Sequence, residues 1–254
     1  MSECLLIERR DDGVAVLTLN RPAARNAVNV ELASAIVDAV AAVQDARCIV
    51  ITGADPAFCA GLDLRNLGTD RLVDLPPFIH AVATSRVPVI AAVNGAAVTG
   101  GFEIALAADF IVASDRARFA DTHVRVGVYP GPVLVDLPRR VGMAMAREMS
   151  MTGNFVDADT ALRTGLANHV VAHDDLITFT RALAAAIAEQ DPPMIAAMRH
   201  DWNETDALPL ADAHQRHRQI AVERGFAAVG SDTLRDHMQA VVTRAHEQGV
   251  GGPR

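Results

Sequence analysis

Residues 89–109 read VIAAVNGAAVTGGFEIALAAD. The apolar run stops at Asn94-Gly95 and resumes with helical spacing behind Gly100-Gly101, which predicts a buried strand, a tight turn and a helix N-terminus. Glycines at that restart let another molecule approach the backbone closely. The first helical turn leaves N–H groups without intrahelical partners, and they point at whatever lies in front of them. Glu103 falls in this turn, where a carboxylate either complements the helix dipole or serves as a working acid. The turn alone leaves both readings open.

A second stretch bears on the choice. Residues 46–64, ARCIVITGADPAFCAGLDL, form a β-branched strand ending in Thr52-Gly53, then a loop closing on Phe58-Cys59-Ala60-Gly61-Leu62-Asp63-Leu64. Here too a backbone N–H is offered beside a glycine. Together the two strand ends resemble the enoyl-CoA hydratase/isomerase family, the crotonase superfamily. Its usual strings are FxAGxDL and NGxxxGGGxEL, against FCAGLDL and NGAAVTGGFEI in this chain. The resemblance runs from about residue 4 to about residue 190. It implies an α/β fold, a crotonase/ClpP-like spiral of ββα units over residues 1–190, with a C-terminal α-helical oligomerisation region over 191–254. It also implies two peptide N–H groups, those of Ala60 and Gly100, gripping a thioester carbonyl oxygen as an oxyanion hole. Glu103 matches the first of two glutamates that hydratases use.

In chain order, Leu5–Arg9 and Val14–Leu19 flank the turn signal Asp12-Gly13 and predict a hairpin. Next, NRPAARNAV over residues 20–28 resembles the family's NRPxxxNAL segment, which lies around the adenosine end of coenzyme A. The resemblance implies that Arg21, Ala24 and Arg25, with Ala60, Gly61, Leu62 and Asp63, contact coenzyme A or substrate. Read without it, Arg21 and Arg25 are solvated loop arginines, and Ala23 stands where the family often has a further basic residue. Residues 30–44 place Leu32, Ile36, Ala39, Val40 and Val43 on one helical face. Residues 47–52 follow as a strand. Residues 65–86, with Pro76-Pro77, read as loop and short helix roofing an acyl pocket, and Phe110–Ala113 as a short buried strand. The repeated strand, strand, helix order differs from Rossmann alternation, and no GxGxxG follows the first strand.

Residues 117–131, ARFADTHVRVGVYPG, depart from the hydratase pattern. Aligning Phe119, Gly127 and Pro130-Gly131 on the family's FxxPExxxGxxPG puts His123 where the second glutamate stands. An imidazole titrates near neutrality and can give or take a proton there. Its other reading is a structural histidine. Residues 132–167 carry helix signals with a break at Thr152-Gly153, Val170-Val171 resembles the last strand, and residues 174–190 form an amphipathic helix. Beyond Asp191-Pro192-Pro193 the pattern is helical, with Ser231 as a helix cap, Val241 in the place of a family aromatic, Arg244 as a remnant of terminal charge, and 249–254 as a flexible end.

Composition narrows the chemistry. The net charge of -8, with no basic block, argues against nucleic acid as partner. All 23 basic residues are arginine, so a lysine Schiff base and a Walker A loop are both excluded. The three cysteines, Cys4, Cys48 and Cys59, are an odd number without metal-ligand spacing, which predicts a reducing, cytoplasmic setting. Cys59 reads as a packing residue, lacking an adjacent histidine. No charge-free apolar stretch is long enough to span a membrane, and no signal peptide is evident. His169 with His173 and His214 with His217 have helical spacing but no third ligand, so no metal is expected.

The resemblance implies hydration of a trans-2-enoyl-CoA, with Glu103 and His123 as the acid and base, an acyl-CoA thioester as partner, and no cofactor because coenzyme A belongs to the substrate. It also implies a homotrimer or a dimer of trimers. Double-bond isomerisation by a single acid, hydrolysis or decarboxylation of a CoA ester, and noncatalytic acyl-CoA binding use the same oxyanion site. A serine peptidase on the related ClpP-like fold requires a nucleophile where this chain has Val98-Thr99-Gly100.

Overall fold

Alternating residues of the central strands are apolar on both faces, so those strands belong inside the protein with cover on each side. A computed structural model of the chain describes residues 3–63, 65 and 75–225. Outside them lie part of the predicted pocket roof (66–74), Leu64, Ser231, Val241, Arg244 and the 249–254 end. The chain divides into two units, Met1–Ile195 and Ala196–Arg254.

In the first unit β1 (Leu5–Arg9) and β2 (Val14–Leu19) form the predicted antiparallel hairpin, pairing Leu5 with Leu19 and Arg9 with Ala15. Asp12 closes its turn by accepting the Val14 N–H at 3.0 Å. After α1 (Val30–Ala42), whose N-terminus Asn29 caps through Leu32 N–H at 3.0 Å, the chain enters a repeat. β3 (Cys48–Gly53), β4 (Ala57–Cys59) and α2 (Phe78–Ala83) make the first round. The second is β5 (Val89–Val93), β6 (Ala96–Val98) and α3 (Gly100–Ala107), and the third β7 (Phe110–Ser114), β8 (Arg118–Ala120) and α4 (His123–Val126).

In each round the first strand joins one sheet and the second joins another. A six-stranded sheet of order β1-β2-β3-β5-β7-β10 therefore collects β3, β5 and β7, which run parallel, and a four-stranded sheet of order β4-β6-β8-β9 collects β4, β6 and β8. This is the expected spiral of ββα units. The strand β6 was not foreseen: three residues between Asn94-Gly95 and Gly100 are too few to show a period, yet they pair with β4 and β8.

The remaining elements are α5 (Val133–Thr152), β9 (Val156–Asp157), α6 (Ala158–Thr164), β10 (His169–Val171) and α7 (Leu176–Ala188). α5 bends at Gly142, where φ is 78° and ψ 159°. On one face of the large sheet Val16, Val50, Ile90 and Val112 pack with Leu176 and Ala184 of α7. On the other, Leu17, Ile51, Ala91 and Ile111 join Leu32, Ile36, Phe58, Phe102 and Phe119 in the main core. α8 (Pro192–Thr205) and α9 (Leu210–Glu223) complete the described helices. Within the second unit Arg216 bridges Glu204 and Glu223, and His217 bonds Asp201.

Asn26 ties the segment after β2 to the first round. It is fully buried at φ 56°, and its side-chain oxygen accepts the Arg21 N–H at 2.8 Å. Its amide donates to the carbonyls of Ala54 (2.8 Å), Ala57 (2.7 Å) and Phe58 (3.2 Å). Alanine here leaves buried carbonyls unpaired, each typically costing about 1–3 kcal/mol. Asn26→Ala is therefore expected to destabilise the chain by about 3 kcal/mol or more, measured as a lower urea midpoint at unchanged slope. An unchanged midpoint contradicts this role.

Candidate active site

The pivot of the site is Thr99, held at φ 45° and ψ −116° between β6 and α3. Its N–H donates to Ala120 O at 2.9 Å and its carbonyl accepts the Glu103 N–H at 2.8 Å, so the reversal from strand to helix occurs over one residue. Gly61, at φ +90°, lies directly against it. A Cβ there would sit 2.0 Å from Thr99 Oγ1 and 2.8 Å from Val98 O, so only glycine brings the two loops together.

This approach corrects one predicted donor. The Ala60 N–H is committed to Arg25 O at 3.0 Å and is not free to donate to another molecule. Two residues on, the backbone bonds of Gly61 O with Val28 N (2.7 Å) and of Asp63 N with Val28 O (2.9 Å) turn Leu62 N–H to the opposite side. Among the described residues, Leu62 N–H and Gly100 N–H are both left without an intramolecular acceptor. Leu62 also lies beside Gly100: a Cβ on that glycine would be 3.7 Å from Leu62 Cδ2 and 3.8 Å from Phe78 Cζ. Within the FCAGLDL string, backbone pairing, which a string does not display, decides which N–H is left unbonded.

Glu103 is in the first turn of α3 and only 5% exposed. Its Oε1 accepts the Val133 N–H at 3.2 Å, and Gly131 borders the same oxygen closely. Burial pushes its pKa above the ordinary carboxylate value, opposed by the bonds from Val133 and Gly131 and by the charge of His123, and reinforced by the charge of Asp121. His123, 8% exposed, opens α4, and its charge and that of Glu103 act on each other. Its Nδ1 is 2.6 Å from Asp121 Oδ1. That hydrogen bond raises the imidazole pKa above its usual value, against the effect of burial. Asp121 was not singled out from the sequence, although its spacing of two from His123 was visible.

The predicted coenzyme A residues form a neighbouring group. Asp63, buried, accepts from Arg21 at 3.3 Å and from Arg65 at 2.7 and 2.9 Å, and the Arg65 bonds hold its carboxyl far below the usual range. Arg21 also donates to Ala27 O. Ala24 is half-buried in a short 3-10 turn, and Arg25, in the left-handed conformation that ends it, is exposed. Cys59 is fully buried and its thiol is pushed up to about 12 by that burial, as befits a packing residue. His173 bonds Asp55 at 3.1 Å and the Asn94 carbonyl at 3.1 Å, and His169 stacks edge-on with Phe179. Among the described residues no group of three or more His, Cys, Asp or Glu has the arrangement of a metal site.

The family model described as enoyl-CoA hydratase/isomerase matches residues 9–227. The Arabidopsis thaliana protein named "Probable enoyl-CoA hydratase 1, peroxisomal" is 35% identical, over 84% of this chain and 84% of its own length. "Carnitinyl-CoA dehydratase" of Salmonella arizonae is 36% identical and covers 100% of this chain and 95% of its own. The crystal structure of an enoyl-CoA hydratase from Mycobacterium smegmatis aligns with a TM-score of 0.74 and 42% identity over 89% of this chain and 100% of that one.

The contact at Gly131 gives a local test. A Cβ there would lie 2.8 Å from Glu103 Oε1, so Gly131→Ala is expected to push the carboxylate off the Val133 N–H. Those backbone bonds lower the Glu103 pKa, and losing them raises it further. Carboxyl carbon NMR across a pH titration checks this, with Glu103→Gln assigning the resonance. An unmoved titration in a folded variant contradicts it.

Proposed function

The chain belongs to the enoyl-CoA hydratase/isomerase family, and we propose that it adds water across the double bond of a trans-2-enoyl-CoA thioester. The observation that carries this reading is the buried Glu103 carboxylate in the first turn of α3, beside the free Gly100 N–H and within electrostatic reach of His123.

The thioester oxygen lies between the Leu62 and Gly100 N–H groups, and Leu62 and Phe78 offer apolar surface next to it. Water, held by Glu103, attacks C3. Its oxygen bonds to C3, the C2=C3 electron pair shifts toward the thioester, and the carbonyl oxygen takes the negative charge. The water proton passes to Glu103. C2 then takes a proton from Nε2 of the His123 imidazolium, and transfer of the proton on Glu103 to His123 restores both groups. Fixed N–H donors aimed at a developing oxyanion are typically worth roughly 2.7–4 kcal/mol each. Burial makes Glu103 a stronger base than an exposed carboxylate, which suits it to accept a proton from water. The reaction needs no further cofactor, since acid, base and oxyanion donors all come from the chain.

Exposed apolar side chains on α4, α5 and their flanks, among them Val126, Tyr129 (84% exposed), Val135, Met143, Met151 and Phe155, favour a covered face. We assign it to contacts between copies in a homotrimer or a dimer of trimers. Sedimentation equilibrium is expected to give three or six times the chain mass, and a monomer would overturn the assignment. Buried cysteines outside any disulfide suit a reducing compartment such as the cytoplasm.

Glu103→Gln is expected to lower kcat for hydration roughly 10²–10⁴-fold, followed as loss of the conjugated thioester absorbance. Hydration at native rate in that variant would sink the assignment. Conversion of a 3-enoyl-CoA without water addition would identify an isomerase, and tight thioester binding without turnover a noncatalytic binder. Because Glu103 must be anionic and His123 cationic, kcat/KM is expected to be bell-shaped in pH. The acid limb follows Glu103 and lies above the ordinary carboxylate range, and the basic limb follows His123 and lies above the ordinary imidazole range. His123→Gln should remove the basic limb.

A further inference from the structure

Asp121 is buried more completely than either group it serves. It is 1% exposed, between the end of β8 and the start of α4. Oδ1 accepts the backbone N–H of His123 at 3.3 Å and faces its Nδ1 at 2.6 Å, while Oδ2 has no partner within hydrogen-bonding distance. The backbone bond is a turn cap, which a neutral amide oxygen makes equally well. Capping therefore leaves the charge of Asp121 unexplained. A buried carboxylate is costly unless something uses its charge, and the imidazole is the group it touches.

We propose that Asp121 is a positioning residue whose carboxylate fixes His123 with the proton on Nδ1, reserving Nε2 for the substrate, so that the pair replaces a second carboxyl group. The inference rests on the reading of His123 as the acid that serves C2. With the imidazole neutral, Asp121 and His123 together carry one negative charge, as a carboxylate does. With the imidazolium, the pair is neutral and holds one transferable proton, as a carboxylic acid does. The pair thus repeats both charge states of a glutamate while presenting a nitrogen at the reacting carbon. The charged groups acting on His123 are Asp121 beside it and Glu103 from α3.

Asp121→Asn separates the two roles, because its amide oxygen keeps the cap and loses the charge. The expected result is a folded protein with kcat down ~10²-fold or more, KM little changed, and the basic limb of the pH profile moved to lower pH. Imidazole 13C NMR of His123, assigned with His123→Gln, should show the same fall in pKa without any substrate. Asp121→Glu, which keeps the charge, is expected to recover part of kcat and return the His123 pKa toward its native value. A folded Asp121→Asn protein with the native His123 titration would overturn the proposal, and so would equal loss in the Glu and Asn variants with unmoved titrations. If the native chain hydrates nothing, the proposed reaction fails while the titration still decides whether Asp121 governs His123. If Asp121→Asn does not fold, the Glu variant alone decides by the same titration.

Discussion

Thr99 adopts a backbone conformation that a β-branched residue adopts only when its surroundings leave no alternative. Strain of this kind typically costs about 1–3 kcal/mol. Three contacts offset it: the N–H donated to Ala120, the carbonyl that accepts from Glu103, and the close seat against Gly61. Each partner comes from a different round of the spiral, β8, α3 and the loop after β4. The strained residue is thus where the three rounds meet. Relaxing it to an ordinary turn would lengthen the path from β6 to α3 and carry Gly100 away from Leu62. The Leu62 and Gly100 N–H groups, proposed as oxyanion donors, come together because two parallel stacks of strands bring their loops to one place, and Thr99 is the residue on which that convergence depends.

From this placement the electrostatics follow. α3 is buried from Gly100 through Leu106, so a carboxylate in its first turn loses solvent and its pKa rises. The dipole of the same helix favours a negative charge at that end, as do the N–H groups of Val133 and Gly131. Glu103 therefore stays ionisable in a dry setting. A second carboxylate at His123 would add like charge to a buried site that already contains Asp121. The imidazole instead lets Glu103 and Asp121 share one cation, with Nδ1 facing Asp121.

The spiral was legible through the family resemblance that the FCAGLDL and NGAAVTGGFEI strings carry, and the Asn94-Gly95 and Gly100-Gly101 signals mark the strand, turn and helix start at the site. Glu103 and His123 were legible by their places in those strings, and the structure brings both to one buried locus. What escaped depends on pairing across the chain. Whether Ala60 or Leu62 offers its N–H is decided by the bonds of Arg25 and Val28, more than 30 residues away. Asn26 gave no sign of its buried amide network, since an asparagine before alanine reads as an ordinary turn. β6 is shorter than any period that could announce it. Arg21, expected beside coenzyme A, bonds Asp63 and Ala27, and a loop arginine's protein partners cannot be read from its neighbours in sequence.

Cys59 and Glu103 show why burial alone does not make a functional group. Both lie beside the turn from Thr99 into α3, and burial raises the pKa of both. For the thiol that means an inert neutral group at any ordinary pH, because the nucleophile is the thiolate and nothing beside Cys59 stabilises it sufficiently. For the carboxylate, backbone N–H groups and the His123 charge oppose the same effect, so the anion remains within reach while its basicity increases. The difference lies in the partners that the fold supplies. Glu103 faces the start of α5 and the histidine of α4, whereas Cys59 faces Gly101, whose Cβ would lie 2.2 Å from the Cys59 carbonyl oxygen. Close packing there brings the helix onto the loop and leaves the thiol neutral, and two residues along the same helix the Val133 N–H and the His123 charge oppose the effect of burial on Glu103.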